Sequence, residues 1–358
     1  MKYFVVAGEA SGDMHGANLV SALSKIDEQA QFWAWGGDRM KAQGVTVYKH
    51  IRDLAFMGFK EVILNLKTIL GNFTLIKQQI EKVQPDVLIL VDYPGFNLRL
   101  AKWAKQKGFR VVYYIAPQAW AWKANRVEKL KAYTDQLLCI LPFEKTFFEE
   151  RGLAVEYVGH PLLEQIEVNK SARKNTIALL PGSREQEVRS MLPEMLSIID
   201  EFPDYDFKIA QSPNLEIRFY DSCLSHERVH LHTSGMASLL NESKAALVTS
   251  GTATLETALY NVPQIVCYKS GALSYQIAKR IIKVPYISLV NLILKKEAVK
   301  ELIQSDLNKL ELTKQLSYIL ADGRELIQKD YATIRQQLGE GNASNKAAQL
   351  IYERVKNR

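Results

Sequence analysis

The sequence has 358 residues, of which 47% are apolar and 24% are charged, and its formal net charge is +7. This length exceeds one typical hydrophobic core and predicts two domains of roughly 150 to 180 residues each. The composition is that of a folded globular protein and argues against long disordered tails, and no segment has the roughly 20 consecutive apolar residues of a transmembrane helix.

The cysteines and the first residues predict a cytosolic protein. The odd number of cysteines, set mostly in apolar runs, is typical of reduced thiols: Cys139, Cys223 and Cys267. Residues 1–7 lead directly into a Gly-rich turn, which predicts a first strand and not a signal peptide.

Short apolar segments alternate with amphipathic helical segments along most of the chain. Strands are expected at 3–7, 31–35, 45–48, 86–91, 110–115 and 136–141, with helices at 14–26 and 62–83. After a polar linker at 167–175, strands are expected at 177–180, 207–210, 229–231, 245–249 and 264–268. Beyond residue 289 the strands stop, and helices are expected at 297–303, 310–320, 324–338 and 343–355.

This alternation predicts an α/β fold of two Rossmann-like domains facing a cleft, with ligands outside the carboxyl ends of the strands. The first domain is expected at residues 1–165 and the second at 172–325. The helices at 326–358 then return to the first domain or are exchanged with a partner chain.

The segment 245–256 predicts a buried strand that leads into the N-terminus of a helix. Its Ser250, Gly251 and Thr252 would let an anion approach free backbone N–H groups. Glu256 lies one turn further on, where a carboxylate can accept hydrogen bonds from a sugar diol. The pattern favours a nucleotide-sugar diphosphate site, and an ordinary capped helix is the alternative.

A second phosphate-binding loop is predicted after the strand at 177–180. Gly182 and Ser183 allow backbone N–H groups to face a phosphate, and Arg184 offers a charge-assisted contact to a diphosphate. In the alternative interpretation, Arg184 pairs with a nearby acid such as Glu187.

Two segments of the first domain could line a substrate. Asp92 follows a buried strand and could remove a proton from an attacking hydroxyl, although it could also cap the turn at Pro94. Residues 8–13 are either a substrate-lining loop or a structural turn. That loop lacks the Gly-x-Gly-x-x-Gly spacing of a dinucleotide site.

Basic and aromatic residues are interleaved between residues 99 and 131. Such a face could contact nucleic acid, anionic lipid or only water. The nine basic residues are Arg99, Lys102, Lys105, Lys107, Arg110, Lys123, Arg126, Lys129 and Lys131, against the single acid Glu128. The residues 114–122 end another predicted strand and could form an apolar wall for acyl chains.

Metal-binding patterns are weak. His230 and His232 share one face of a predicted strand without an acid or third histidine clearly placed beside them. Asp204 and Asp206 have the Asp-x-Asp spacing of some metal-dependent sugar transferases, but a peripheral bend explains them as well.

Taken in order, these motifs resemble the lipid-A-disaccharide synthases. The matching segments are 8–13, 57–62, 92–97, 117–126, 141–144, 159–161, 180–184, 250–256 and 288–291. The resemblance implies a GT-B fold without a metal ion or other cofactor. It also implies transfer from UDP-2,3-diacylglucosamine to the 6-hydroxyl of 2,3-diacylglucosamine 1-phosphate, giving a β-1,6-linked disaccharide and UDP at the cytoplasmic face of the inner membrane.

Carried onto this chain, the resemblance makes Asp92 the candidate base. The donor-site residues it implies are Gly182, Ser183, Arg184, Ser250, Gly251, Thr252, Glu256 and Asn291. Those on the acceptor or lipid side are Ser11, Gly12, Asp13, Glu61, Trp120, Trp122, Lys123 and Arg126. The implied partners are the two lipid substrates and an anionic membrane surface, with no nucleic acid, and a homodimer is compatible with the helical C-terminus.

The sequence departs from the family pattern in two motifs. Gly95 stands where relatives often have a second Asp, and Gln118 and Ala119 stand in the segment that is Pro-Ser-x-Trp-Ala-Trp elsewhere. Neither departure touches Asp92, but both leave acyl-chain selectivity open.

Two other classes of function are alternatives to a lipid-A-disaccharide synthase. One is another GT-B enzyme, such as a UDP-GlcNAc 2-epimerase or an undecaprenyl-linked GlcNAc transferase, and the other is a nucleotide-sugar-binding protein without turnover.

Overall fold

The computed structural model describes residues 1–54, 66–122, 126–169, 172–212, 215–271, 275–276 and 284–356. Two units separate by their internal contacts. The first consists of Met1–Pro161 and Glu340–Arg358, and the second is Leu162–Gly339. The second unit therefore interrupts the first in sequence.

A parallel sheet forms the centre of the first unit. Its strands are β1 (Lys2–Val6), β2 (Gln31–Gly36), β3 (Thr46–His50), β4 (Val87–Val91), β5 (Val111–Tyr114), β6 (Gln136–Cys139) and β7 (Glu156–Tyr157). They lie in the order β3-β2-β1-β4-β5-β6-β7, and all neighbours are parallel. Every residue of β4 is buried, as expected for an apolar strand covered on both faces.

Helices cover both faces of this sheet. They are α1 (Ala10–Ile26), α2 (Asp38–Ala42), α3 (Leu66–Val83), α4 (Pro94–Gln106), α5 (Ala119–Trp122), α6 (Arg126–Tyr133) and α7 (Pro142–Glu149). Short 3₁₀ helices occur at Ile51–Asp53 and Pro161–Glu164. Within the described ranges, no helix is long and apolar enough to span a bilayer.

The second unit repeats this plan with a six-stranded parallel sheet. Its strands are β8 (Thr176–Leu180), β9 (Asp206–Ala210), β10 (Val229–His232), β11 (Ala245–Thr249), β12 (Gln264–Tyr268) and β13 (Glu301–Ile303), in the order β10-β9-β8-β11-β12-β13. Its helices are α8 (Glu185–Leu196), α9 (Met236–Glu242), α10 (Thr252–Leu259), α11 (Leu289–Leu294), α12 (Lys309–Leu320) and α13 (Arg324–Leu338), with 3₁₀ helices at Ile199–Glu201, Ile217–Cys223 and Gln304–Asp306.

A last helix, α14 (Ala343–Lys356), returns to the first unit. Its buried face contributes Ala347 and Ile351 to the same hydrophobic cluster as Leu19 and Leu23 of α1. By contrast, α13 packs within the second unit, where the Tyr331 hydroxyl accepts a hydrogen bond of 3.1 Å from Gln264 Nε2. The predicted returning segment 326–358 is thus divided after Gly339.

The structure corrects several predicted elements. Residues 301–303 form edge strand β13, paired with Val266–Tyr268 of β12, and not the end of a helix. A three-residue strand is too short to show a period in sequence. Helix α1 begins at Ala10, so most of the predicted loop 8–13 belongs to its first turn.

Each sheet reverses its strand order once. β1 lies beside β4 in the first sheet, and β8 lies beside β11 in the second. At such a reversal the loops that follow the two central strands lead to opposite faces of the sheet, which leaves a crevice at the carboxyl edge. The loops in question are 8–9 and 92–93 in the first unit, and 181–184 and 250–251 in the second.

The return of α14 should be measurable as stability of the first unit. We expect Ile351→Ala to lower its free energy of unfolding by about 2–5 kcal/mol, because the substitution leaves a cavity beneath a fully buried side chain. All five tryptophans lie within residues 33–122, so tryptophan fluorescence during urea unfolding follows this unit.

Lys346→Ala is the matched control on an exposed position of the same helix, with an expected change within about 0.5 kcal/mol. Equal unfolding midpoints for Ile351→Ala and the unsubstituted protein would contradict the packing role of α14.

Candidate functional site

Asp92 ends β4 in an unusual backbone conformation. Asp92 and Tyr93 have φ angles of 44° and 47°, both in the left-handed region. This conformation costs about 1–2 kcal/mol for each non-glycine residue and is concentrated at functional sites. The carbonyl oxygen of Asp92 accepts hydrogen bonds from the Tyr113 hydroxyl at 2.6 Å and from Asn97 Nδ2 at 2.8 Å. These bonds help to hold the half-buried Asp92 at the strand reversal.

The surroundings of Asp92 favour the protonated form of its carboxyl group. Burial and, to a smaller extent, the nearby Glu9 carboxylate raise the pKa of its carboxyl to about 6, while a backbone hydrogen bond and the Arg126 guanidinium partly oppose this shift. Such a pKa allows the carboxylate to accept a proton near neutral pH.

Glu9 reaches this site because the loops after β1 and β4 pack closely. A Cβ on Gly8 would lie 2.4 Å from the Tyr93 ring, so only glycine fits there. Glu9 is exposed and forms the N-cap position of α1 without capping the helix through its side chain. Our sequence interpretation omitted Glu9. The signal that could have found it is its position directly after the first strand, beside the expected crevice.

The buried carboxyl group of Glu144 lies next to Trp120. Glu144 is 1% exposed and accepts hydrogen bonds from Trp120 Nε1 at 3.0 Å and from the backbone N–H groups of Ile140 and Leu141 at 3.3 and 3.1 Å. Burial raises the pKa of Glu144 to about 7. Trp120 also packs edge-on against Phe143, with 4.9 Å between ring centroids. The ring is thus fixed while part of it remains exposed.

Of the other predicted acceptor-side residues, the structure describes the side chain of Arg126 but not those of Trp122, Glu61 and Lys123. Arg126 begins α6, is half-buried, and interacts electrostatically with Asp92 and Tyr113. Trp122 ends α5, and its side chain lies outside the described part of the structure, as do the whole residues Glu61 and Lys123.

Asp13 is a structural residue and not a free acceptor contact. It is 3% exposed, and its carboxylate accepts hydrogen bonds from the backbone N–H groups of Gly37, Arg39 and Met40 at 2.6, 3.0 and 3.2 Å. Asp13 therefore caps α2 and ties it to α1. Gly12 is buried against Ala7, and Ser11 is exposed.

In the second unit, the loop after β8 is hydrogen-bonded to the side chain of Glu187. The Glu187 carboxylate accepts hydrogen bonds from the Ser183 and Arg184 backbone N–H groups at 2.9 and 3.2 Å, and from Arg184 Nη1 at 3.3 Å. Gly182 has a φ of 114°, and a Cβ there would lie 2.5 Å from the same carboxylate. The alternative Arg184–Glu187 pairing is thus present. Because the Arg184 side chain is 64% exposed, this pair is weak, and the guanidinium can contact an external anion.

The loop after β11 lies beside that of β8. Ser250 Oγ donates a hydrogen bond to the Ile287 carbonyl at 2.8 Å, and Gly251 and Thr252 are exposed at the start of α10. Glu256 lies one turn further along α10 and is half-buried. Burial raises the pKa of its carboxyl to about 7. This edge of the sheet therefore presents small residues, a cationic side chain and a carboxyl group.

Asn291 lies in the core with its amide fully hydrogen-bonded, which corrects its predicted role as a direct donor contact. It is fully buried, and Nδ2 donates to the Val299 carbonyl and to Glu301 Oε1, both at 2.9 Å. Oδ1 accepts from the N–H groups of Ala298 and Val299 at 2.8 and 3.0 Å. These four bonds use the hydrogen-bonding capacity of the amide.

The histidine and aspartate pairs from the sequence lie apart from these loops. His230 lies 3.8 Å from Asp206, and His232 lies 3.8 Å from Glu242. In the part of the chain that the structure describes, no group of three or more His, Cys, Asp or Glu side chains is arranged to hold a metal ion.

The two units present different chemistry at their strand reversals. The first holds a carboxyl poised to take a proton, and the second holds Arg184 and small residues suited to a phosphate.

Two solved structures share this fold over nearly the whole chain. The UDP-GlcNAc 2-epimerase from Neisseria meningitidis bound to UDP-GlcNAc has a TM-score of 0.69 and 13% identity, with 100% of each chain covered. The glycotransferase of kitacinnamycin has a TM-score of 0.70 and 12% identity, with 99% of each chain covered. The predicted fold class, the two-domain α/β fold of GT-B glycosyltransferases, is confirmed.

The structural comparison shows the fold, whereas comparison of sequences identifies the family. The family model described as lipid-A-disaccharide synthetase matches residues 3–354. The lipid-A-disaccharide synthases of Syntrophus aciditrophicus and Myxococcus xanthus are 37% and 36% identical to this chain, over 98% of it and 97% of each relative. The chain therefore belongs to the lipid-A-disaccharide synthase family, glycosyltransferases of lipid A biosynthesis.

Proposed function

We propose that this protein transfers 2,3-diacylglucosamine from its UDP conjugate to the 6-hydroxyl of 2,3-diacylglucosamine 1-phosphate. The products are the β-1,6-linked disaccharide 1-phosphate and UDP. The observation that carries this proposal is Asp92, a strained residue with a raised carboxyl pKa at the strand reversal of the first sheet. A direct displacement inverts the anomeric carbon, so an α-linked donor gives a β product.

In the proposed mechanism, Asp92 removes the proton of the acceptor 6-hydroxyl as its oxygen attacks the anomeric carbon. The bond from that carbon to the UDP oxygen breaks, and UDP leaves with the electron pair. Arg126 and Lys123 would hold the acceptor phosphate. Ser11, Gly12 and Glu61 would line the acceptor sugar, and the exposed part of Trp120, with Trp122, would contact acyl chains.

The second unit would hold the donor. Arg184, with Gly182 and Ser183, would contact the diphosphate on one side, and Ser250 with the N–H groups of Gly251 and Thr252 would contact it on the other. Glu256 would accept hydrogen bonds from the ribose hydroxyls. We propose that this cationic and dipolar site stabilises the leaving diphosphate without a divalent ion. The complex of the similar Neisseria protein with UDP-GlcNAc supports a UDP-sugar as the donor class.

We also propose that the protein works peripherally at the cytoplasmic face of the inner membrane, because both lipid substrates come from a bilayer. Helix α3 exposes Leu70 and Leu75, and Arg99 and Lys102 are exposed on α4. Part of the basic segment is neutralised, since Lys107 pairs with Glu81 at 3.0 Å. A homodimer stays a prediction.

The test of the proposed reaction is an assay of the purified protein with both lipid substrates in EDTA, followed by mass spectrometry. The expected products are the diacylated disaccharide 1-phosphate and an equal amount of UDP. Product formation only after Mg²⁺ addition would reject metal independence. Turnover of UDP-GlcNAc without an acylated acceptor would favour an epimerase, and UDP binding without any product would favour a protein that binds nucleotide-sugar but has no turnover.

The role of Asp92 as a base predicts a selective loss of turnover. We expect Asp92→Asn to lower kcat by about 10² to 10⁴-fold, because the amide keeps the shape but cannot take the proton. Affinity for UDP, measured by calorimetry, should stay unchanged. A kcat near that of the unsubstituted protein would remove Asp92 from the mechanism.

Arg184 should act on both donor binding and rate. We expect Arg184→Ala to weaken UDP binding by about 10- to 100-fold, since a hydrogen bond to a charged group contributes about 1.5–3 kcal/mol. Arg189→Ala is the matched control, because Arg189 is exposed on the next turn and pairs with Glu185 at 2.8 Å. Equal UDP affinities for the two variants would reject the diphosphate contact.

Glu9 should contribute to the pH dependence of turnover, in addition to the burial of Asp92. Asp92 must be ionised to act, so the rate should rise with pH through its pKa of about 6. Removing the Glu9 charge favours the ionised form, so Glu9→Gln should move this acidic limb to lower pH, as measured by kcat/KM between pH 4.5 and about 8. Glu9→Asp keeps the charge and should keep the limb in place. An unmoved limb in Glu9→Gln would show that the two carboxylates do not interact.

A further inference from the structure

We propose that Tyr113 and Asn97 are positioning residues, which hold the backbone of Asp92 in the one conformation that presents its carboxylate to the acceptor. This inference rests on the proposed role of Asp92 as the base. Neither side chain acts on the reacting atoms. Each acts through the carbonyl group of Asp92.

The backbone at the end of β4 does not continue the sheet. The Asp92 N–H still donates to the Tyr114 carbonyl at 3.1 Å, as a strand residue does. After this bond the chain leaves the strand, because Asp92 and Tyr93 both have left-handed backbone conformations. The Tyr93 carbonyl already accepts from the N–H groups of Phe96 and Asn97 at 3.2 and 3.0 Å, at the start of α4. The turn is thus fixed from both sides, and the Asp92 carbonyl is directed away from the sheet ladder to side-chain donors.

Tyr113 supplies the shorter of the two bonds to this carbonyl. It lies on β5, opposite Leu90 of the neighbouring β4, and its ring is fully buried. A buried hydroxyl needs a partner, and this one donates at 2.6 Å to the Asp92 carbonyl. Burial and the nearby Asp92 raise the pKa of the phenol well above its usual range. The phenol therefore stays protonated and donating throughout the working pH range.

Asn97 joins the ends of two strands at the reversal. Its Nδ2 group lies 2.8 Å from the Asp92 carbonyl, 3.2 Å from that of Val91 and 3.4 Å from that of Val6. The side chain is fully buried on the first turn of α4. It thus couples the end of β1, next to the Gly8 turn, to the end of β4.

This arrangement matters for a base because proton removal needs a narrow geometry. The two left-handed residues are intrinsically unfavourable, so the strand end would relax if its carbonyl lost a donor. A relaxed carboxylate would be more solvated and less well aimed at the acceptor. The alternative is that the two bonds only stabilise the fold, and that alternative makes different predictions.

Tyr113→Phe removes one hydroxyl and keeps the ring. We expect kcat to fall about tenfold, which is the usual effect of one such hydrogen bond, with KM for both lipids and UDP affinity within about twofold of their original values. The acidic limb of the pH–rate profile should move to lower pH, as the carboxyl becomes more solvated. Tyr3→Phe is the matched control, since Tyr3 is equally buried in the same sheet but its hydroxyl donates to Asp27 at 3.1 Å and not to Asp92.

A double variant separates positioning from general stability. If Tyr113 acts through Asp92, adding Tyr113→Phe to Asp92→Asn should lower kcat no further than Asp92→Asn alone. A further tenfold loss in the double variant, or a Tyr113→Phe enzyme with the original kcat and pH profile, would overturn the inference. If Asp92→Asn alone retains full turnover, the failure lies in the proposed base and not in its positioning.

Discussion

A single reversal of strand order in each parallel sheet determines where chemistry can take place. Between β1 and β4, and again between β8 and β11, neighbouring strands send their connections to opposite faces, so the carboxyl edge is left uncovered. Asp92 and Glu9 lie at the first reversal, and Arg184 and Ser250 at the second. In the first unit the buried side chains of Tyr113 and Asn97 donate hydrogen bonds to the carbonyl of Asp92 and so help to fix the loop that follows β4.

The sequence was informative where burial leaves a periodic or continuous apolar pattern. The central strands were predictable because they are covered on both faces, and so was the position of Asp92 at a strand end. Edge strands β7 and β13, of two and three residues, are too short to carry such a pattern.

Side-chain partners were beyond the reach of sequence patterns. Asp13 and Asn291 belong to family motifs, but the motif alone does not distinguish a ligand contact from a buried structural bond. Glu9 was missed for the opposite reason, because it belongs to no hydrogen-bonding or metal-ligand pattern and matters through its distance from Asp92.

Three carboxyl groups, Asp92, Glu144 and Glu256, have pKa values raised by burial to about 6, 7 and 7. Each binds its proton more tightly in the folded protein than in the unfolded chain. The stability that each contributes is therefore present at low pH and is lost as pH rises from its ordinary value near 4 through its folded value. The proposed chemistry needs Asp92 ionised, so the site works in the pH range where these groups stabilise the fold least.

The return of α14 to α1 has a consequence for synthesis. The ribosome releases the first unit up to Pro161 before any of the second, yet α14, which completes the hydrophobic cluster around Leu19 and Leu23 of α1, emerges only after the second unit. While the second unit is being synthesised, the surface of the first unit that α14 will cover therefore remains exposed to solvent. Such exposed surface favours binding by chaperones and association between nascent chains. The unit that begins to fold first is therefore the one that is completed last.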